Sequence, residues 1–173
     1  ARLTPAQAQA YFLAGYTARV AGTERGVTAP QATFSACFGA PFMPLHPTVY
    51  ADLLAERIRQ HNVKLWLINT GWTGGPTGVG HRIELAPKSA IISAALNGDL
   101  DAVESISDPL FGFAIPKHVP GVPPAVLFPR QTWQDPDAYD ACARDLAARF
   151  RKHMAQFEGA LSAEVKAAVP RNG

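Results

Sequence analysis

The stretch 69–82, NTGWTGGPTGVGHR, places glycines at 71, 74, 75, 78 and 80 directly after the apolar run 64–70, KLWLINT. The chain must turn here, and the run before the turn reads as a buried strand. Upstream, Pro47 opens a helix whose Val49, Leu53, Leu54 and Ile58 recur about every four residues, ending near Asn62. Helix, apolar strand and glycine-rich turn, in that order, are what an α/β layer requires, and ligands in such layers collect beyond the carboxyl ends of the strands.

The remaining elements follow from caps and periods. Thr4-Pro5-Ala6-Gln7 combines an N-cap hydroxyl, a proline at the first helical position and a glutamine three residues after the cap, so a helix starts there and runs through Tyr11, Phe12, Tyr16 and Val20. Gly22, Gly26 and Pro30 make 21–30 a loop, with a strand predicted over 33–38. After the glycine turn, a short strand is expected over 82–85, then a helix from Pro87 that closes at Asn97-Gly98, then a strand over 111–115. The segment 116–129, with Pro120, Pro123 and Pro124 inside it, is expected to lie over the surface without helix or central strand. Asp135-Pro136 caps a long helix carrying Tyr139, Cys142, Leu146, Phe150 and Met154 to about Phe157, and a short helix is expected over 163–169.

At 173 residues and 47% apolar content the chain can bury one useful core. A net charge of +2 without any basic run excludes a nucleic-acid partner, and the short apolar runs give no membrane span. Cys37 and Cys142 have no metal-ligand spacing and read as small core residues of a reduced compartment. The chain opens at Ala1 without an initiator methionine, which reads as the later part of something longer.

The glycine turn is either a long hairpin or a loop whose backbone N–H groups approach a phosphate. It is no Walker-type loop, since His81 and Arg82 stand where that motif needs Lys and Ser or Thr. Arg82, at the mouth of the strand, either stacks on a ring or meets phosphate, or else forms an ordinary surface ion pair. Trp72 is a cover for a ligand or a wedge that orders the loop. The five histidines lack metal spacing, and no nucleophile constellation is present, so neither catalytic nor metal-ligating residues are assigned.

Several blocks together resemble the ATP-dependent phosphoenolpyruvate carboxykinases: AGTERGVTAP at 21–30, TFSACFGAPFMPLHPTVYA at 33–51, INTGWTGGPTGVGHRI at 68–83, AIISAALNGDL at 90–100, FAIPKHVPGV at 113–122 and DPDAYDACA at 135–143. The resemblance implies that residues 1–173 are the C-terminal portion of that family's α/β mononucleotide-binding domain, with a mixed sheet and flanking helices. It implies a cytoplasmic gluconeogenic lyase using ATP, with Mg²⁺ and Mn²⁺, to convert oxaloacetate to phosphoenolpyruvate. The phosphate-binding loop, metal ligands and oxaloacetate site of the family match nothing here, so this chain is expected to be inactive alone and to need the remainder of a parent polypeptide.

By the same resemblance, Arg82 and Ile83 pack against the adenine and ribose of ATP, and Lys88 occupies a third contact position that is usually threonine. His81, Ser89 and Thr77 also depart from the usual Lys, Arg and Tyr. The loop 21–31 resembles a lid over bound nucleotide; a static loop held by Glu24 and Arg25 is the other reading. A standalone nucleotide-binding module that has lost catalysis is the competing functional class.

Overall fold

The computed structural model describes residues 1–19, 31–76 and 78–171, which divide into two compact units. One comprises Ala1–Arg2 and Trp66–Asp145, the other Leu3–Leu65 and Leu146–Gly173.

In the second unit, α1 (Pro5–Ala14) begins as its cap signature requires. The Thr4 hydroxyl accepts from the Gln7 amide, while the Gln7 side chain accepts from the Thr4 amide, a reciprocal capping box. The helix stops at Gly15 and does not reach Val20 as the periodicity predicts. Gly15 takes the left-handed conformation at φ 57° and returns its N–H to the Tyr11 carbonyl, a glycine C-cap. Tyr16 therefore lies on a strand, β1 (Tyr16–Arg19), paired antiparallel with β2 (Gln31–Phe34). The strand predicted over 33–38 ends at Phe34, and a 3₁₀ turn at Ala36–Phe38 follows.

Helix α2 (Pro47–His61) ends at a left-handed Asn62. Its Ala51 joins Leu13, Ala14, Cys37, Phe150, Met154 and Phe157 in one core. Phe150 and Met154 come from the far end of α5 (Pro136–Met154), whose start is capped by the Asp135 carboxylate accepting from the Asp137 and Ala138 amides. Phe150 is met edge-on by Phe34 at 5.0 Å and lies 4.9 Å from Tyr11. Cys37 is buried as expected, but Cys142 is exposed.

His153, also on α5, stacks on Phe34 at 4.8 Å and meets Phe157 at 5.8 Å. Its Nδ1 faces the Gln156 amide nitrogen, so that ring nitrogen accepts and the proton sits on Nε2, which is buried with no partner among the described residues. Burial disfavours the charged ring and lowers the His153 pKa below its usual value. An imidazole whose folded pKa is depressed contributes stability that is complete above the unfolded pKa of about 6.5 and is lost as the pH falls from there through the folded pKa. His153→Phe keeps the ring contacts and removes the titration. Thermal melts of this variant are expected to lose less stability than wild type between neutral and mildly acid pH; identical pH slopes would exclude His153 as the source.

The first unit is built around Ala94, Leu100, Val119 and Val122, with Trp66, Ala90, Ile91 and Ala95 against them. It contains β3 (Trp72–Thr73), β4 (His81–Arg82), α3 (Leu85–Asn97), β5 (Ser105–Ser107), β6 (Ala114–Pro116), α4 (Pro124–Leu127) and the opening turns of α5. Here the sequence reading is corrected at five places, the first being the strand expected over 82–85: β4 ends at Arg82 and Leu85 already opens α3, so only one of those residues is on a strand.

The run 64–70 is not a buried strand. Only Trp66 forms a bridge, to Arg2, and Leu67 is exposed. An apolar run becomes a central strand only when both edges are paired, and among the described residues Ala1 and Arg2 are what pair with it in this unit. The strand expected over 111–115 begins only at Ala114, because the Asp108 carboxylate accepts from the Leu110 and Phe111 amides and holds a turn there.

Helix α3 starts at Leu85, ahead of Pro87, which occupies the first turn, where a missing N–H costs nothing. The proline segment does not simply cross the surface, since Val119 and Val122 are buried and Pro124–Leu127 is helical, proline being well placed at a helix start.

The architecture is thus mixed helix and small sheets. The expected mixed sheet does not occur among the described residues, whose three ladders, β1–β2, β3–β4 and β5–β6, are all antiparallel. Antiparallel pairing can follow a short connection, whereas parallel pairing needs a crossover of a dozen or more residues.

Candidate functional site

The glycine-rich turn is a hairpin. Trp72 pairs with Arg82 and Thr73 with His81, so the ladder brings the tryptophan opposite the arginine on one face of the ribbon. The Asn69 side chain staples the approach by accepting from the Gly71 amide at 2.8 Å and donating to the Trp72 carbonyl at 3.1 Å. The Ile83 amide donates to the Gly71 carbonyl at 3.0 Å, closing the base of the ribbon, and the Ile83 side chain is buried.

The tip is tight. A Cβ on Gly80 would fall 2.5 Å from the Gly75 carbonyl oxygen and closer still to that of Thr73, so only glycine fits there.

Thr132 anchors the hairpin, a role that the sequence reading missed. Its hydroxyl donates to the Pro129 carbonyl at 2.7 Å, so at 2.9 Å the Thr73 hydroxyl must donate to it, and the Gly74 amide donates at 3.0 Å. One oxygen thus gives one bond and accepts two, which exhausts a hydroxyl. The 3₁₀ turn Pro129–Thr132 is tied to α5 by a two-pronged pairing of Arg130 with Asp140, at 2.9 and 3.1 Å. That pairing lowers the Asp140 pKa. The local sign of this anchor is a threonine whose hydroxyl reaches back three residues to a carbonyl; its two long-range bonds leave no mark in the sequence.

Arg82 is exposed, and no carboxylate pairs with it among the described residues. Trp72, at 36% exposure, keeps part of its ring open. Lys88 lies in the first turn of α3, half-buried. The structure therefore sets Arg82 opposite Trp72, seats Ile83 beneath the hairpin and places Lys88 on the helix that follows. Thr77 and residues 21–30 of the lid-like loop 21–31 lie outside the described residues.

An exposed arginine in register with a partly exposed tryptophan offers a flat, cationic group suited to stacking on a purine or meeting an anion. Among the described residues, no three His, Cys, Asp or Glu side chains gather where a metal ion could be held, and no helix is long and apolar enough to cross a membrane.

A family model described as phosphoenolpyruvate carboxykinase matches residues 1–125. A Thermus thermophilus protein named phosphoenolpyruvate carboxykinase (ATP) is 56% identical over 171 residues, covering 99% of this chain and 32% of the relative. A Moorella thermoacetica protein named phosphoenolpyruvate carboxykinase (ATP) 1 is 58% identical over 158 residues, 91% of this chain and 30% of the relative. The chain spans about a third of the length of these relatives.

Proposed function

The chain belongs to the phosphoenolpyruvate carboxykinase family, and from that premise we propose that it is the C-terminal portion of the nucleotide-binding domain of an ATP-dependent member. The parent polypeptide decarboxylates oxaloacetate and passes the γ-phosphoryl group of ATP to the resulting enolate oxygen, giving phosphoenolpyruvate, carbon dioxide and ADP, in cytoplasmic gluconeogenesis. Within that reaction this chain supplies the adenosine side of the ATP site. Arg82 stacks on the base, Ile83 gives an apolar support beneath it, and Lys88 contributes the third contact, a cation where a hydroxyl is usual. Residues 21–31 close over the nucleotide and keep water from the enolate.

The observation that carries this reading is an exposed arginine, with no carboxylate partner among the described residues, held in register with a tryptophan by a glycine hairpin, in a chain that matches the family over most of its length. Mg²⁺ and Mn²⁺ belong to the reading, but the described residues gather no ligand set for them. In this reading the ligands lie elsewhere in the parent, which is why the chain alone is inactive.

The test is calorimetric titration of the chain with Mg-ATP, and the ATP KM of the longer polypeptide, each with and without Arg82→Ala. A cation–π contact of about 0.5–2 kcal/mol converts to roughly a 2- to 30-fold weakening of ATP binding and a matching rise in KM, with no turnover by the chain alone. An unchanged KM in a folded Arg82→Ala parent removes Arg82 from the site.

A further inference from the structure

Helix α3 reads LAPKSAIISAALN, with Lys88 its single charged residue. One face, centred on Ala94 with Ala90, Ile91 and Ala95 beside it, packs against Leu100 and Val119. At about 100° per residue, Leu85, Ile92 and Leu96 fall within about 20° of one line on the opposite side, roughly 180° from Ala94. Their exposures are 75%, 41% and 81%. Ser89 and Ser93 flank this line and are exposed as well, so the outward face of α3 offers branched apolar and small uncharged side chains to water.

A surface helix ordinarily turns charged residues outward, and a helix apolar on all sides is one that is buried on all sides. Solitary exposed leucines need no explanation, but an aligned stripe of them on a helix with one charge does.

We infer that the Leu85–Ile92–Leu96 stripe is a docking face for the part of the parent polypeptide that lies outside this chain, and that an apolar element of that part packs along it. The inference rests on the reading of the chain as part of a longer protein. The matched relatives carry about two thirds of their length beyond the segment that aligns here, which is ample polypeptide for a further layer. An apolar partner is specified because the stripe offers no charge and only two flanking hydroxyls to satisfy. Lys88 stands about 60° to one side of the stripe, so the face can be covered while that residue stays at the nucleotide.

The test uses Leu96→Cys in a Cys142→Ala background, Cys37 being buried, and follows labelling by a soluble thiol reagent without nucleotide. In this chain the thiol labels at the rate of an exposed cysteine, independent of protein concentration. In the longer polypeptide the rate is expected to fall about tenfold or more, as for a group that reacts only after local opening. Equal rates in the two overturn the inference. So does protection that grows with the concentration of this chain alone, which would make a second copy the occupant.

Leu96→Lys provides a second readout, leaving the melting temperature of this chain within about a degree or two while lowering that of the longer polypeptide by several degrees. Neither readout involves ATP, so the Arg82 assignment can fail while this face stands.

Discussion

Gly15→Ala is expected to abolish cooperative folding of the unit built on α1. A Cβ at position 15 would lie inside the van der Waals envelope of the Ser35 carbonyl oxygen and 2.9 Å from the Phe38 amide nitrogen. Both are backbone atoms, so no side chain can swing aside. The same residue sits at φ 57°, which costs an alanine about 1–2 kcal/mol before any clash is counted. It is also fixed from both directions, donating to the Tyr11 carbonyl and accepting from the Ser35 amide at 3.1 Å.

Relief requires Ser35 to retreat, which pulls Phe34 out of register with Tyr16 and away from Phe150. The total should exceed about 4 kcal/mol, against a whole-domain stability of about 5–15 kcal/mol. Urea unfolding followed by circular dichroism checks this. A loss below about 1 kcal/mol would mean that the Ser35 backbone moves freely.

Gly80→Ala should have the next largest effect, and it should appear in ligand binding as well as in stability. The added carbon collides with the carbonyls of Thr73 and Gly75 across the hairpin, so β3 and β4 must separate. Trp72 and Arg82 then lose their shared register. Under the proposed function, ATP affinity should fall by at least the roughly 2- to 30-fold expected of Arg82→Ala, because the arginine remains but is no longer aimed. Gly159→Ala is the control, since a Cβ there meets nothing within 4 Å. If Gly80→Ala binds Mg-ATP as wild type does while remaining folded, the hairpin does not position the nucleotide.

Signals confined to a few neighbouring residues were legible. The Thr4 capping box, the Asp135 cap and the glycine hairpin all depend on atoms a few positions apart, and each lies where the pattern places it. Pairing decided the rest. KLWLINT has the composition of a central strand, but a strand needs edges to bond with, and sequence composition does not count them. Val119 and Val122 are buried although prolines surround them, because proline limits backbone pairing and says nothing about where a neighbouring valine points.

Periodicity carried α1 past Gly15 because Tyr16 is apolar enough to extend the stripe. In the structure the tyrosine uses that apolar face on a strand, 5.3 Å from both Phe34 and Phe150. On the hairpin, Arg82 stands where its place after the glycines puts it, in register with Trp72. Thr132 was not legible, since its worth lies in meeting Thr73 and Gly74 from far along the chain.

Arg2 bridges to both Trp66 and Ala114, bonding the latter through its amide at 2.8 Å and its carbonyl at 3.3 Å. During synthesis, Arg2 is made well before residue 114, so its amide and carbonyl cannot bond Ala114 until that residue has left the ribosome. Closing so long a loop carries an entropic cost that short hairpins avoid. This ladder should be a late event in the chain's assembly, so Arg2 should acquire its protection from hydrogen exchange after the β3–β4 hairpin has acquired its own.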